Sequence, residues 1–344
     1  MKLRRILALL LTALLCLCLT ACGEKGPSYS PTKSPYAMKW ECNAPQIAAE
    51  NGEIHFYFMS GEGMNVNPEN EKGQTEKWGD SCLVIFPDGK TMLIDGGFPI
   101  YAAVLTENLQ RLGVTHLDYV VLSHSHNDHY GGLESPQGPI KVLGASHGFY
   151  SGRCAPACMS ENGLTTQQLL AGDTVQLGEV KLTCLSPTQE LLDNPAEKDP
   201  ETATNNASMV LRIDYKEFSA LFTGDIYKTM EQKLVTKYKD TGLMDVDLLK
   251  LPHHGDATSN TGTLADATTP KLAAATGALP LGTSLYFGFA RYAHTVLHDA
   301  QDGYAHVWSD GESLEWETSR ERTLDMYDAY DAFNADKKTP GCVD

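Results

Sequence analysis

From about residue 51 onwards the chain alternates short apolar runs with amphipathic segments. Apolar runs bounded by turn residues predict buried strands, and apolar positions that recur every three or four residues predict helices. The predicted strands are IHFYFM, SCLVIF, TMLID, LDYVVLS, TVQLGEVKLTCLS, SMVLRID, FSALFTGD, VDLLKLP, KLAAAT and the hairpin GYAHVWSDGESLEWE, and the predicted helices are PIYAAVLTENLQRLG and YKTMEQKLVTKYKD. Because hairpins are interleaved with helices, this order favours two packed sheets with helices outside, an αββα sandwich of the mixed α/β (α+β) class, over a doubly wound parallel sheet.

One domain over residues 51–317 is predicted, and the segments around it differ in composition. Residues 1–21 combine a basic start with an apolar stretch that is shorter than a membrane span of about 20 residues, which is typical of a cleaved signal peptide. Residues 22–50 are rich in proline, serine and glycine and suit a flexible tether. Residues 318–344 are predicted to form a C-terminal helix and tail.

The tetrapeptide LTAC, which ends at Cys22, resembles the lipobox of bacterial lipoproteins. The resemblance implies that Cys22 is the lipidated first residue of an exported protein that is anchored to the outer face of the bacterial cell membrane. The alternative is a plain secretory signal with an incidental cysteine.

The chain is strongly acidic, with a net charge of −17 at pH 7. Residues 1–21 carry Lys2, Arg4 and Arg5 and no acidic residue, so their removal changes the net charge to −20. Proteins that bind a phosphate backbone by counterion release normally present a basic face, and no Lys/Arg cluster beyond residue 21 supplies one. Long nucleic acid is therefore an unfavourable substrate, although it is not excluded.

Six of the nine cysteines follow Cys22. An even number of cysteines in an exported chain permits disulfides, and Cys154 and Cys158 form a candidate local pair. Cys82 and Cys184 lie in strand-like runs and are predicted to be buried thiols.

The stretch LSHSHNDHYGG at residues 122–132 packs three histidines and one aspartate directly after an apolar run. In an extended chain His124 and His126 point to the same side and can bind one metal. If a helix begins at Asn127, Asp128 and His129 turn toward a second position nearby. Imidazole with carboxylate suits zinc, manganese or iron better than calcium.

This HxHxDH motif after an apolar strand resembles the metallo-β-lactamase superfamily of hydrolases, and the resemblance covers about residues 53–317. LIDGG with Asp95 is similar to the first motif of the family, and LFTGD with Asp225 is similar to the fourth, in which the aspartate bridges two metals. LLKLPHHG with His253 and His254 resembles the fifth motif of the ComEC/Rec2-like branch, and NNASMVL and RYAHTVL resemble further segments of that branch.

The resemblance implies a site with two divalent ions, zinc or manganese, and a bridging hydroxide. It assigns His124 and His126 to the first ion, Asp128, His129 and His253 to the second, and Asp225 to both. Asp128, His254 and His294 are the predicted catalytic residues, and the two histidines would contact substrate oxygen or protonate the leaving group.

The chain also departs from the family pattern. Most members have a third-motif histidine about twenty residues before the bridging aspartate, where this chain has Asn205 and Asn206. We therefore predict that the first metal binds more weakly. Asp256 replaces the serine of HHGS, and His147 comes too early in the chain to be assigned to the third motif.

The HHG pair is similar to that of the ComEC-like and phosphorylcholine-esterase branches, which act on phosphodiesters. The sequence therefore predicts a surface-anchored phosphodiesterase with a small or cell-envelope substrate. One alternative is a nuclease for single-stranded DNA during uptake. Another is a non-catalytic binding protein whose metal site has decayed.

Overall fold

The computed structural model describes residues 43–61, 78–277, 288–289, 291–293 and 295–320. The predicted signal peptide, the predicted lipidation site Cys22, most of the predicted tether, the catalytic candidate His294 and the tail beyond residue 320 lie outside these ranges. Within the described residues no helix is both long and apolar enough to cross a membrane.

The described strands form two sheets. The strands are β1 Ile54–Phe58, β2 Cys82–Ile85, β3 Thr91–Ile94, β4 Leu117–Leu122, β5 Ala145–Tyr150, β6 Thr165–Gln168, β7 Thr174–Leu177, β8 Val180–Ser186, β9 Val210–Tyr215, β10 Phe218–Phe222, β11 Leu248–Lys250, β12 Leu272–Ala275, β13 Val296–His298, β14 Ala305–Ser309 and β15 Glu315–Thr318. The first sheet has eight strands in the order β15-β14-β1-β2-β3-β4-β5-β6, and the second has seven in the order β13-β12-β11-β10-β9-β8-β7.

Helices connect many of these strands. The α-helices are Ala44–Asn51, Ala102–Arg111, Asn127–Glu134, Pro139–Leu143, Ala157–Ser160, Gln189–Asp193, Pro200–Asn206, Lys228–Tyr238, Gly262–Thr268 and Asp299–Asp302, and the 3-10 turns are Pro99–Tyr101 and Pro252–Gly255.

Strand alternation divides the apolar side chains among three layers. Between the sheets, Phe56 and Val84 of the first sheet share one buried cluster with Leu211 of the second sheet. On the outer face of the first sheet, the strand residue Leu83 packs in a cluster with helix residues such as Leu105. A matching outer cluster covers the second sheet and includes residues of helix Lys228–Tyr238. The predicted αββα sandwich is confirmed, because each sheet buries one face against the other sheet and one face under helices.

Parallel pairing brings the carboxyl ends of four strands to the region that contains the motifs. β3 is parallel to β4, with Leu93 opposite Val120. β10 is parallel to β11, with Phe222 opposite Lys250. Residues that follow parallel strands meet at the same edge of a sheet, so distant motifs converge there.

The folded region starts earlier than the predicted boundary at residue 51. Helix Ala44–Asn51 lies in the predicted tether, yet Ala44 and Ala48 are buried. The backbone N–H of Ala44 donates to the carbonyl of Leu112 at 3.0 Å. The helix is short and buries only small side chains. It was therefore not predicted from a segment whose composition is typical of a tether. β15 ends at Thr318, one residue beyond the other predicted boundary.

The described cysteines are free thiols. Cys82 and Cys184 are buried on strands, as predicted, whereas Cys154 is exposed and Cys158 is buried. The candidate disulfide between Cys154 and Cys158 is therefore not formed in this structure.

His55 gives the fold a specific dependence on pH. Its Nδ1 lies 2.9 Å from Nε2 of His306, and its side chain is only 5% exposed. Burial, and then the charge of His306, lower the pKa of His55 to about 3. An unfolded histidine has a pKa of about 6.5. At a pH between the folded and unfolded pKa values, His55 is therefore protonated in the unfolded state and neutral in the folded state.

We expect protonation of His55 in the unfolded state to lower the free energy of unfolding by about 1.4 kcal/mol per pH unit as the pH falls from about 6.5 toward 3. Urea unfolding of the wild type and of His55→Gln at pH 7.5, 5.5 and 4.5 measures this slope. The wild type should lose stability more steeply than the variant over the acid range. Parallel curves would show that folded His55 accepts a proton normally.

Candidate metal centre

Asp95 fixes the orientation of His129. It follows β3 with a left-handed backbone, φ 57°, and its carboxylate accepts the backbone N–H of Ser123 at 2.8 Å and the hydroxyl of the same residue at 2.7 Å. Nδ1 of His129 lies 2.8 Å from Oδ2 of Asp95. Because a carboxylate accepts the Nδ1 proton, Nε2 of His129 is directed toward the centre of the site.

The HxHxDH motif adopts the predicted local structure. His126 is extended and precedes the helix Asn127–Glu134. His129 is fully buried, and its Nε2 lies 3.1 Å from Oδ2 of Asp225. Nε2 of His124 lies 4.0 Å from the same oxygen, and the ring centroids of His124 and His126 are 4.8 Å apart. The change from strand to helix thus directs His124 and His129 toward one carboxylate.

The two histidines of the HHG motif occupy different places. Both have a left-handed backbone, with φ 48° at His253 and φ 57° at His254. Nε2 of His254 lies 3.2 Å from Oδ2 of Asp128 and 3.3 Å from Oδ2 of Asp225. Nε2 of His253 lies 3.9 Å from Asp225, and its Nδ1 is hydrogen-bonded to the hydroxyl of Thr258.

This geometry revises the predicted roles of the two histidines. His254 lies against Asp128 and Asp225, so it is the better ligand for the second position, and His253 lies nearer the outside of the site. The tight left-handed turn separates the two rings. A sequence cannot order adjacent histidines in such a turn, because neither the spacing nor the residue type differs between them.

Asp80 and Lys250 are site residues that the sequence analysis missed. Asp80 lies with His129, Asp225 and His254 in a buried group whose potential ligand atoms are all within 4.8 Å of one another. However, Oδ2 of Asp80 forms an ion pair with Nζ of Lys250, and its Oδ1 accepts the hydroxyl proton of Thr276. Its carboxylate oxygens are therefore already engaged, which suits support of the site better than metal ligation.

Lys250 connects Asp80 to the loop that carries Asp225. It is only 4% exposed, its Nζ donates to the carbonyl of Gly224 at 3.2 Å, and Nζ lies 3.7 Å from Oδ1 of Asp225. The available signal was a lysine inside the apolar run VDLLKLP, since lysine is almost never fully buried unless it is paired.

Charges inside the site shift several pKa values. Burial alone raises the pKa of Asp225, but His129 and then His254 outweigh burial and hold it well below its usual range. Burial opposes protonation of His129, but Asp225 and Asp95 raise its pKa well above the ordinary value. Burial, and then His129, lower the pKa of His124 well below its usual range. The carboxylates of Asp225 and Asp95 and the imidazole of His129 therefore interact strongly inside the buried site.

The donor atoms fit a divalent ion. Nε2 of His124 faces Oδ2 of Asp225, yet it is buried and has no hydrogen-bond partner among the described residues. Such atoms are costly to leave unsatisfied, and imidazole nitrogen with carboxylate oxygen suits zinc or a similar ion. The described site can therefore hold a metal, with His124, His129, Asp128, Asp225 and His254 as its available ligands.

The structure distinguishes Asn205 from Asn206. The amide of Asn206 donates to Glu197 at 2.9 Å, and its Oδ1 accepts the backbone N–H of Tyr227 at 2.9 Å. The amide of Asn205 donates to the hydroxyl of Tyr227 at 2.8 Å, while its Oδ1 is buried without a hydrogen-bond partner in the described part of the chain. Of the two asparagines, only Asn205 therefore has a side-chain oxygen that is available to bind a metal.

The structure also places His147 and Asp256. His147 lies on β5 and is exposed, with its ring centroid 5.6 Å from that of Tyr119. Oδ1 of Asp256 accepts the backbone N–H of Thr258 at 2.8 Å and lies 3.8 Å from Nδ1 of His253. His147 thus belongs to a surface strand, and Asp256 supports the turn that carries the histidines.

Comparison with known proteins shows a resemblance to the metallo-β-lactamase superfamily. The sequence profile of the Metallo-beta-lactamase superfamily matches residues 77–148, which include β2 to β4, the first four residues of β5 and the HxHxDH motif. This match confirms the predicted resemblance to metal-dependent hydrolases of this fold.

The curated relatives specify the branch. The chain is 27% identical over 217 residues to "ComE operon protein 3" of Bacillus subtilis, covering 57% of this chain and 26% of the relative. It is 27% identical over 217 residues to "Competence protein ComA" of Neisseria gonorrhoeae, covering 60% of this chain and 27% of the relative. The chain thus spans about a quarter of the length of these relatives, and the ComEC-like resemblance is confirmed.

Among solved structures, the metallo-beta-lactamase fold protein YhfI from Bacillus subtilis is 14% identical to this chain. The match covers 72% of this chain and 95% of YhfI, with a TM-score of 0.46.

Metal titration should separate two binding steps. An amide oxygen is a weaker donor than imidazole for a borderline ion, so we expect one tight and one weaker step in chelator-treated protein. Asn205→His should tighten the weaker step. Asn206→His is the matched control and should not, because the side chain of Asn206 is engaged by Glu197 and Tyr227. Two equally tight steps in the wild type would contradict this assignment.

Proposed function

We propose that the protein is a dinuclear metallohydrolase that cleaves phosphodiesters. The observation that carries the metal chemistry is the convergence of His129, His254 and His124 on Asp225, with Nε2 atoms 3.1 Å, 3.3 Å and 4.0 Å from its Oδ2. The choice of phosphodiesters rests on the HHG pair and on the resemblance to the ComEC-like branch.

When bound, two divalent ions would lower the pKa of a coordinated water to about 7 and polarise the substrate's phosphoryl oxygens. The protein's own residues prepare this chemistry. Asp95 holds His129 with Nε2 directed inward, while Asp225 offers one oxygen toward the histidines and the other toward Lys250. These groups are fixed before substrate arrives, which limits reorganisation during the reaction.

His253 is suited to a role toward substrate. Its side chain is 22% exposed, against 7% for His254, and its Nδ1 is held by Thr258. Its Nε2 can therefore face a substrate oxygen or the leaving group. In this proposal His253 takes the part that the sequence analysis gave to His254, and His294, which lies outside the described residues, stays a predicted catalytic residue.

A nuclease for single-stranded DNA is the second candidate. The name of one relative, "Competence protein ComA", favours it. The net charge of −17 opposes tight binding to a long phosphate backbone. A small or cell-envelope phosphodiester therefore remains our first choice.

The substrate class can be tested with a panel of four compounds on purified protein, each with zinc and with manganese. We expect turnover of bis(p-nitrophenyl) phosphate or p-nitrophenylphosphorylcholine, and little hydrolysis of nitrocefin. Degradation of single-stranded DNA alone would favour the nuclease. No hydrolysis together with well under one equivalent of metal would favour a non-catalytic binding protein.

We also propose that Cys22 carries a lipid that retains the protein at the outer face of the cell membrane. A single myristoyl-sized chain binds membranes only marginally, so firm retention needs a diacylglyceryl-type modification. Cys22→Ala should release the protein from the membrane fraction or block its maturation. Membrane fractionation measures this, and unchanged retention of the variant with its signal cleaved would refute the anchor.

A further inference from the structure

A cavity of about 540 Å³ opens beside His124. One wall is formed by residues that follow β5 and by helix Asn127–Glu134, and the opposite wall is the segment between β8 and β9. We call this cavity the side pocket. Because His124 and Ser125 line it, the side pocket borders the metal centre at His124.

The lining of the side pocket is mainly apolar. It includes Leu122, Tyr130, Leu192, Ala203 and Ala207. A cavity of this size with a mostly apolar lining and a few polar groups is typical of a small-molecule site. The polar residues at His124 and the mainly apolar lining match a ligand that has one charged and one apolar part.

Arg153, a cationic residue in the lining, is hydrogen-bonded across the side pocket to its opposite wall. Nε of Arg153 donates to the carbonyl of Leu192 at 3.0 Å, and its Nη2 donates to the carbonyl of Asp193 at 3.3 Å. These bonds attach the segment between β8 and β9 to the residues after β5. Arg153 therefore helps to form the cavity, and the lining also includes the carboxyl group of Glu134.

We propose that the side pocket binds an apolar ester group of the substrate while the phosphoryl group lies at the metal centre. The inference rests on the proposed function and narrows it to phosphodiesters that carry one alkyl or aryl group, as an amphiphilic phosphodiester does. Because His124 lines the cavity, that group would lie on the side of the first metal position.

A series of p-nitrophenyl alkyl phosphate diesters tests the pocket, with methyl, butyl and octyl chains and the same leaving group throughout. Each methylene that leaves water for an apolar site contributes about 0.8 kcal/mol, so kcat/KM should rise up to about fourfold per buried methylene. The increase should level off once the cavity is filled. All esters are used below the concentrations at which they form micelles.

Two tryptophan substitutions block the pocket from opposite walls. Ala203→Trp and Ala157→Trp should each lower the ratio of octyl to methyl kcat/KM toward one. Both alanines line the side pocket and are not fully buried, so a larger side chain can be accommodated without repacking the core. Ala196→Trp is the matched control, because Ala196 lies on the same segment but lines a different cavity. It should keep the wild-type ratio.

The outcomes separate this inference from the proposed function. Equal kcat/KM for methyl and octyl esters in the wild type would contradict binding of the ester group in the side pocket. It would not contradict the proposed phosphodiesterase activity. If no diester is hydrolysed, the proposed function is wrong. The side pocket is then tested by calorimetry, which compares the binding of octyl phosphate with that of methyl phosphate. Tighter binding of octyl phosphate that is lost in Ala203→Trp would support the pocket, and equal binding of both phosphates would overturn it.

Discussion

Asp225→Ala is expected to abolish hydrolysis and to lower the content of both metal ions. Its Oδ2 lies within 4.0 Å of Nε2 of His124 and within 3.1 Å of Nε2 of His129, so its removal takes a ligand from both positions. Loss of a residue that only supports a ligand typically costs 10- to 100-fold in metal affinity or activity. Asp225→Ala should exceed that range, with activity reduced on the order of a thousandfold or more.

Elemental analysis and kinetics on three variants separate the roles. Asp95→Asn keeps the shape of the side chain but weakens the orientation of His129, so we expect a 10- to 100-fold loss. Asp240→Ala changes an exposed aspartate on the surface and should match the wild type. If Asp225→Ala retains substantial activity and two ions, the assignment of the bridging carboxylate is wrong.

Lys250→Met is expected to destabilise the fold by about 3–5 kcal/mol, because it leaves the buried carboxylate of Asp80 without its partner. Burial alone raises the pKa of Asp80, but Lys250 and then His254 outweigh burial and lower it, so this aspartate is charged in the fold. Burial opposes protonation of Lys250, but Asp80 and Asp225 raise its pKa. The expected loss is a large part of the 5–15 kcal/mol that stabilises a typical domain.

A double-mutant cycle on Lys250→Met and Asp80→Asn measures the coupling between the two charges. The double variant should be more stable than the sum of the single effects predicts, because it removes both members of a buried pair. Urea unfolding of chelator-treated protein gives the values without a contribution from bound metal. A Lys250→Met variant as stable as the wild type would show that Asp80 finds another partner or a proton at little cost.

The sequence determined the local parts of this protein. Apolar runs such as IHFYFM and SCLVIF became β1 and β2. The period of PIYAAVLTENLQRLG gave helix Ala102–Arg111, and the helix after HxHxD begins at Asn127 as predicted. These features depend on side chains within one or two turns or along one strand, so local pattern is enough to specify them. The order of the motifs was sufficient to indicate the fold class and the metal centre.

Tertiary structure decided the contacts that join distant segments. Asp80 and Lys250 lie 170 positions apart, and their pairing depends on the packing of one sheet against the other. The left-handed turn at residues 253 and 254 decided which histidine faces Asp128. The side pocket exists because Arg153 attaches the segment after β8 to the residues after β5. One sequence carries no local signal for such contacts, since their energy comes from burial and pairing of groups that become neighbours only after the sheets have packed.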